Sequence, residues 1–253
     1  MTNLLWYQYA LIALIFVWSG FVRSGLGFGG AVLSLPFLLL IDNQPLVFLP
    51  IIATHLLFFS CMIWLESGYK KYRTGEAVKT SIDWPYLKKI LAIMIVPKMI
   101  GVLGLLTLPA NIMSTIIFSI VAIYSFSYIL NKPFKTSNPA LDWVFLITGA
   151  YISGTSLIGA PLIIAVVSTH VAKEKLRDTL FALWFILVTI KMAAFAYVGV
   201  DLQLGYSLWL LPAAALGHII GVKFHNYLIN AQDSIFYRVL GIVLLTTSLI
   251  GLS

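Results

Sequence analysis

The chain has 253 residues, 60% hydrophobic and only 10% charged, against about 25% charged in an average soluble domain. That balance excludes a soluble globular enzyme and makes the chain an integral membrane protein. The net charge of +7 does not point to nucleic acid, because Lys and Arg collect in the cytoplasmic loops of membrane proteins. Cys61, alone in its type, leaves no intramolecular disulfide and no thiolate metal cluster, and reads as a small packing residue in an apolar run.

In chain order, ten apolar segments are expected at 4–22, 25–41, 45–65, 87–107, 110–130, 141–153, 156–171, 179–199, 207–228 and 235–252. The first has neither the basic start nor the small-residue cleavage site of a signal peptide, so it reads as a retained helix. The longest polar stretch, roughly 66–89, reads as a solvated loop that includes Arg73. Two glycine-rich breaks interrupt apolar sequence, Ser24-Gly25-Leu26-Gly27-Phe28-Gly29-Gly30-Ala31 and Ser153-Gly154-Thr155-Ser156-Leu157-Ile158-Gly159-Ala160-Pro161. Lipid offers unwound backbone no hydrogen-bond partner, so such breaks belong beside protein or a wet cavity. A helix broken at matching places in two halves is the sequence pointer to a transporter's binding site. Each break joins two crossings, a re-entrant pair or one long broken helix, which puts the number of transmembrane segments between eight and ten.

Charge favours ten crossings. Loops then alternate sides, and 14 of the 16 Lys and Arg fall on one side, Arg23 among them. The opposite turns, near 42–45, 108–109, 154–155 and 200–206, receive none, and both termini lie outside. Five segments per half require the second half to enter from the opposite face. The expected fold is therefore an all-α membrane protein of two inverted repeats, about 1–131 and about 140–253, forming one domain over 1–253. Short identities in the same order support a duplication: Ser24-Gly25 with Ser153-Gly154, Gly30-Ala31 with Gly159-Ala160, and Ile100-Gly101-Val102 with Ile220-Gly221-Val222. Gly101, Gly104, Gly217 and Gly221 read as contact points between helices.

Two cations belong to no loop. Lys98 and Lys191 lie inside segments, where a charge costs at least about 2.5–3.5 kcal/mol. Snorkelling to an interface suits Lys191 better than Lys98. His218 occupies the repeat position of Lys98, and His55 also lies mid-segment; either is a polar-cavity group or a hydrogen-bonded packing residue. His170 and His225 read as interfacial. No Asp or Glu falls deep in a segment, so the interior is cationic and suits an anionic solute. Any proton coupling would fall to His or Lys. Helices restarting after Gly27, Gly29 and Gly30, and after Gly159, would present free N–H groups and positive dipole ends. Thr155 and Ser156 add hydroxyl donors. These ten residues form the candidate substrate site, and neither a catalytic constellation nor a cofactor motif is legible.

At these motifs the chain resembles the TauE/SafE sulfite exporter family. The residues that carry the resemblance are Gly25-Leu26-Gly27-Phe28-Gly29-Gly30 with Leu35-Pro36, Ser153-Gly154 through Gly159-Ala160-Pro161, Lys173–Arg177 running into Thr179, and Ser67-Gly68 before Asp83-Trp84. Thr155, Ser156 and Ile158 depart from the pattern, standing where such families often have further glycines. The resemblance implies a carrier of sulfite, organosulfonates or related small anions, usually outward, in the inner (plasma) membrane. A passive anion channel and an importer of a carboxylate-like anion are the alternatives. The partners expected are the anion and the lipid bilayer, with a homodimer left open.

Overall fold

The computed structural model describes residues 4–26, 30–74, 82–132, 134–136, 138–230 and 234–253; within these, the side chains of 26, 63–74, 177, 225–230 and 234–237 are outside the description. The described residues form ten helices: α1 (Trp6–Leu26), α2 (Gly30–Ile41), α3 (Pro45–Thr74), α4 (Trp84–Thr107), α5 (Ala110–Ile129), α6 (Pro139–Ser156), α7 (Ala160–His170), α8 (Lys173–Val198), α9 (Leu204–Asn230) and α10 (Ser234–Leu252). Six of them (α1, α3, α4, α5, α8 and α9) contain stretches long and apolar enough to cross a membrane. The protein is an all-α multi-pass membrane protein.

α2 and α7 have 12 and 11 residues, or roughly 18 and 16 Å at 1.5 Å per residue. Neither alone matches an apolar core about 30 Å thick. Each instead folds back on the helix before it. Ser19 Oγ donates to the Gly30 carbonyl at 3.2 Å, at the start of α2, and Gln8 Nε2 donates to the Ile41 carbonyl at 3.4 Å, at its end. In the second hairpin Gly159 lies against Gly149 and Ser153, and His170 Nε2 lies 2.7 Å from Asp142 Oδ2. Both breaks are therefore reversals between antiparallel helices, with a half-length return helix.

The turns sort to two ends. Asn43 bonds Asn111, and Tyr9 packs edge-on against Trp209, so the N-terminus, the 42–44 turn, the α4–α5 turn and the α8–α9 turn share one end. Asp83 N–H donates to Thr179 Oγ1, and the Tyr86 ring stacks on His170, which bonds Asp142; these lie at the other end. The end carrying 42–44, 108–109 and 200–203 has no Lys or Arg in those turns.

Helix pairs cross between the chain halves: α1 packs along α9, α4 along α6, α5 along α10, and α3 against α8. Glycines set the closest approaches, as membrane helices without a hydrophobic drive to associate require. A Cβ added to Gly101 would meet the Tyr151 carbonyl oxygen and stand 3.0 Å from Gly154 Cα. One on Gly221 would meet the Phe21 carbonyl oxygen and stand 3.0 Å from Gly25 N.

Four expectations change. Gly104 has nothing closer than the Tyr151 hydroxyl at 3.9 Å, so it is not a tight contact. Cys61 is exposed, not packed inside. Arg73 stands on α3, which continues to Thr74, and not in a loop. Arg23, expected among loop cations, lies in the last turn of α1 and is only 9% exposed, because α2 folds back over it.

Gly101→Leu and Gly221→Leu should each cost at least the roughly 1–3 kcal/mol of an overpacked core, since the obstructing atoms are backbone. Gly104→Ala should be tolerated. Thermal unfolding of the detergent-solubilised proteins checks the contrast; equal melting temperatures would refute the backbone contacts.

Candidate functional site

The two hairpin breaks face one cavity. It is lined by Ser19 and Arg23 from α1, Gly30, Ala31 and Val32 from the start of α2, Ser153 at the end of α6, Leu157, Ala160 at the start of α7, and apolar residues of α3 and α8, including Leu56, Phe181 and Trp184. The space open to the centre of a water molecule is about 50 Å³. That exceeds the ~10–15 Å³ a single water needs, so the cavity admits a few heavy atoms.

Among the described lining residues Arg23 is the charged one. Its guanidinium carbon sits 4.1 Å from the centre of the Phe59 ring on α3, and its Nε and Nη2 have no hydrogen-bond partner. Stacking on an aromatic face returns about 0.5–2 kcal/mol, which does not cover the cost of holding a cation in an apolar interior. A planar fork with unused donors matches an oxyanion. No Asp or Glu is buried among the described residues. Sequence reading missed Arg23 because it counted every cation beside a break as a loop residue. The signal was present: Arg23 is the one Lys, Arg, His, Asp or Glu in 1–41, inside largely apolar sequence.

The helix starts add to the positive field. Gly159 is the N-cap of α7 and supplies no side-chain cap, and Pro161 follows in the first turn. Gly30 opens α2. Unsatisfied N–H groups and about half a positive charge accompany each such end. A Cβ on Gly159 would collide with the Gly149 carbonyl oxygen, so glycine is what lets α7 start this close to α6. Leu157 sits at φ 60 to close α6, in the left-handed region that glycine usually occupies, and its N–H donates to the Ser153 carbonyl at 3.2 Å.

Lys98 and Lys191 are both fully buried and are not among the residues lining the cavity. Lys191 does not snorkel: its Nζ donates to the Gly154 carbonyl at 2.7 Å and the Thr155 carbonyl at 3.3 Å. Lys98 Nζ donates to Ser153 Oγ at 3.1 Å and the Ser153 carbonyl at 3.3 Å. Two ammonium groups thus converge on the C-terminal end of α6, where the last carbonyls of a helix run out of intrahelical partners and the dipole is negative, although the Ser153 carbonyl is shared with the Leu157 N–H. In the first hairpin the corresponding serine, Ser24 Oγ, lies 2.5 Å from His218 Nδ1. The His218 ring centre is 4.8 Å from that of Phe59, the ring that also carries Arg23.

The remaining candidates are dispersed. His55 is buried on α3; its Nε2 donates to the Ser207 carbonyl at 2.8 Å, which leaves Nδ1 as a bare acceptor without a partner. Thr155 and Ser156 return their hydroxyls to the Ile152 carbonyl at 2.9 Å. Gly27 and Gly29 lie outside the described residues, as does the side chain of His225. His170, half-exposed, is at the helix end as expected.

Paired helical hairpins around a cavity lined by a buried arginine define a polytopic membrane protein. The family description Sulfite exporter TauE/SafE matches residues 11–250, and the chain belongs to that family, whose members are membrane transporters and not enzymes. No curated protein and no solved structure matches the chain.

Because the Thr155 and Ser156 hydroxyls bond only their own helix, Thr155→Val and Ser156→Ala should leave anion affinity within about twofold and stability within ~1 kcal/mol. Calorimetric titration with sulfite and thermal unfolding check this; a large loss of affinity would put those hydroxyls on the anion.

Proposed function

We propose that the protein is a secondary transporter that exports small sulfur oxyanions, sulfite or a compact organosulfonate, binding them in the cavity between the two hairpins. The observation that carries this reading is the buried Arg23 guanidinium, which lines the cavity with two unused nitrogens and, among the described residues, no buried carboxylate to neutralise it. The starts of α2 and α7 contribute N–H groups beside Gly30 and Gly159, and Lys98 and Lys191 add positive potential behind the α6 wall. A cavity of about 50 Å³ suits a compact oxyanion better than a bulky organic acid.

The halves, about 1–131 and about 140–253, act as inverted repeats that rock about the site to expose it alternately. The support is that advancing each helix label by five converts α1·α9 into α6·α4, and that Ser24–His218 and Ser153–Lys98 are the matching contacts. The basic end faces the cytoplasm by the positive-inside rule, which is in keeping with a protein of the inner (plasma) membrane. If protons are coupled, His218 is the group placed to carry them, since it shares the Phe59 ring with Arg23.

In proteoliposomes, sulfite on the far side should accelerate exchange of labelled sulfite, as a carrier requires. Arg23→Gln should lower that exchange at least tenfold while the protein stays folded. Flux that ignores trans-sulfite would mean a channel, and preferential exchange of acetate over sulfite would mean a carboxylate carrier.

A further inference from the structure

Ser153 differs from the hydroxyl residues around it. Thr155, Ser156, Ser34 and Ser125 each donate back to a carbonyl of the preceding turn. Ser153 makes no such bond; its oxygen instead receives Lys98 Nζ at 3.1 Å. An ammonium group can only donate, so the hydroxyl must act as acceptor toward Lys98, and its own proton stays unspent. The carbonyl one turn back, at Gly149, is occupied sterically by Gly159, whose backbone packs on it. Ser153 is 4% exposed and lines the same cavity as Arg23.

We propose that Ser153 donates its hydroxyl proton to the transported anion, and that Lys98 is a positioning residue that holds the hydroxyl in that orientation without touching the anion. The proposal rests on the carrier reading above and deepens it. Arg23 and Ser153 then approach the anion from opposite hairpins, so both halves are in contact with a single oxyanion. Two donors set apart in this way select for an anion with oxygens pointing in more than one direction, as in a sulfite or sulfonate group, over a spherical halide. Lys191 holds the adjacent carbonyls of Gly154 and Thr155, which keeps the Ser153 turn from shifting.

The test is a double-mutant cycle on sulfite affinity, by calorimetric titration of the purified full-length protein. Ser153→Ala should weaken sulfite binding about tenfold, the worth of one hydrogen bond to a charged group, and Ser153→Thr should restore most of it. Lys98→Met should weaken binding by a similar factor in the wild type and have little further effect on Ser153→Ala, because residues acting in series are not additive. Chloride affinity should be the same in all four proteins. Unchanged sulfite affinity in Ser153→Ala overturns the proposal. Full additivity overturns the positioning role and puts Lys98 on the anion itself. Should Lys98→Met not fold, Lys98→Arg takes its place in the cycle, and its effect must likewise vanish on Ser153→Ala. Arg23→Gln separates the two levels: if it binds sulfite normally, the cavity reading falls, whereas loss in Arg23→Gln with none in Ser153→Ala removes this inference alone.

Discussion

Backbone that leaves a helix within an apolar environment has to find its hydrogen bonds inside the protein, and the two reversals impose that demand on everything around them. At α6 the demand is met by cations. Lys98 and Lys191 donate to three successive carbonyls at Ser153, Gly154 and Thr155. The Ser153 carbonyl also receives the Leu157 N–H, so an apolar residue at 191 would cost the Gly154 and Thr155 carbonyls their Lys191 donor, and one at 98 would remove the donor to the Ser153 hydroxyl. At the start of α7 no side chain caps the free N–H groups, and an anion is the natural complement. The same reversal is therefore electrostatically satisfied on its C-terminal side and open on its N-terminal side, toward the cavity.

Charge bookkeeping in the interior follows from this. Arg23, Lys98 and Lys191 are buried, and the described core holds no carboxylate. The lysines find carbonyls at a helix C-terminus, worth roughly half a negative charge. Arg23 meets the face of Phe59 and, among the described residues, leaves Nε and Nη2 without a hydrogen-bond partner. The surplus is greatest where Arg23 meets the cavity. On the proposed function, an anion in the cavity would offset that surplus.

The tight glycines explain how the hairpins are held without being locked. Gly101 on Gly154, and Gly221 on Gly25, let helices from different chain halves touch through backbone. Such contacts are close, but they lack the interdigitated side chains that would have to disengage for helices to slide. They also bring Lys98 and His218 to their serines, since each stands one turn before its glycine. The packing glycines and the polar contacts are consequences of one helix register.

Much was legible in the chain because it depends on local composition. Ten apolar segments, the two breaks and the one-sided distribution of cations need only hydropathy and the cost of charge in lipid. The depth of Lys98 and Lys191 followed from the same arithmetic. What those lysines touch did not, because a donor's partner depends on which helix lies alongside, and α4 meets α6 only through packing across the two halves. Arg23 was misplaced for a related reason. Hydropathy ends the first segment at about residue 22 and the glycine break follows, but neither shows that the next helix turns back over that end, and it is the return of α2 that takes Arg23 out of solvent. Ser153 was visible only as part of a glycine-rich string. The sequence alone determined a cationic, carboxylate-free membrane interior with two helix breaks; the tertiary structure alone decided which cation faces the cavity and which ones hold its wall, because burial and hydrogen-bond partners are set by contacts between different helices, tens of residues apart in the chain.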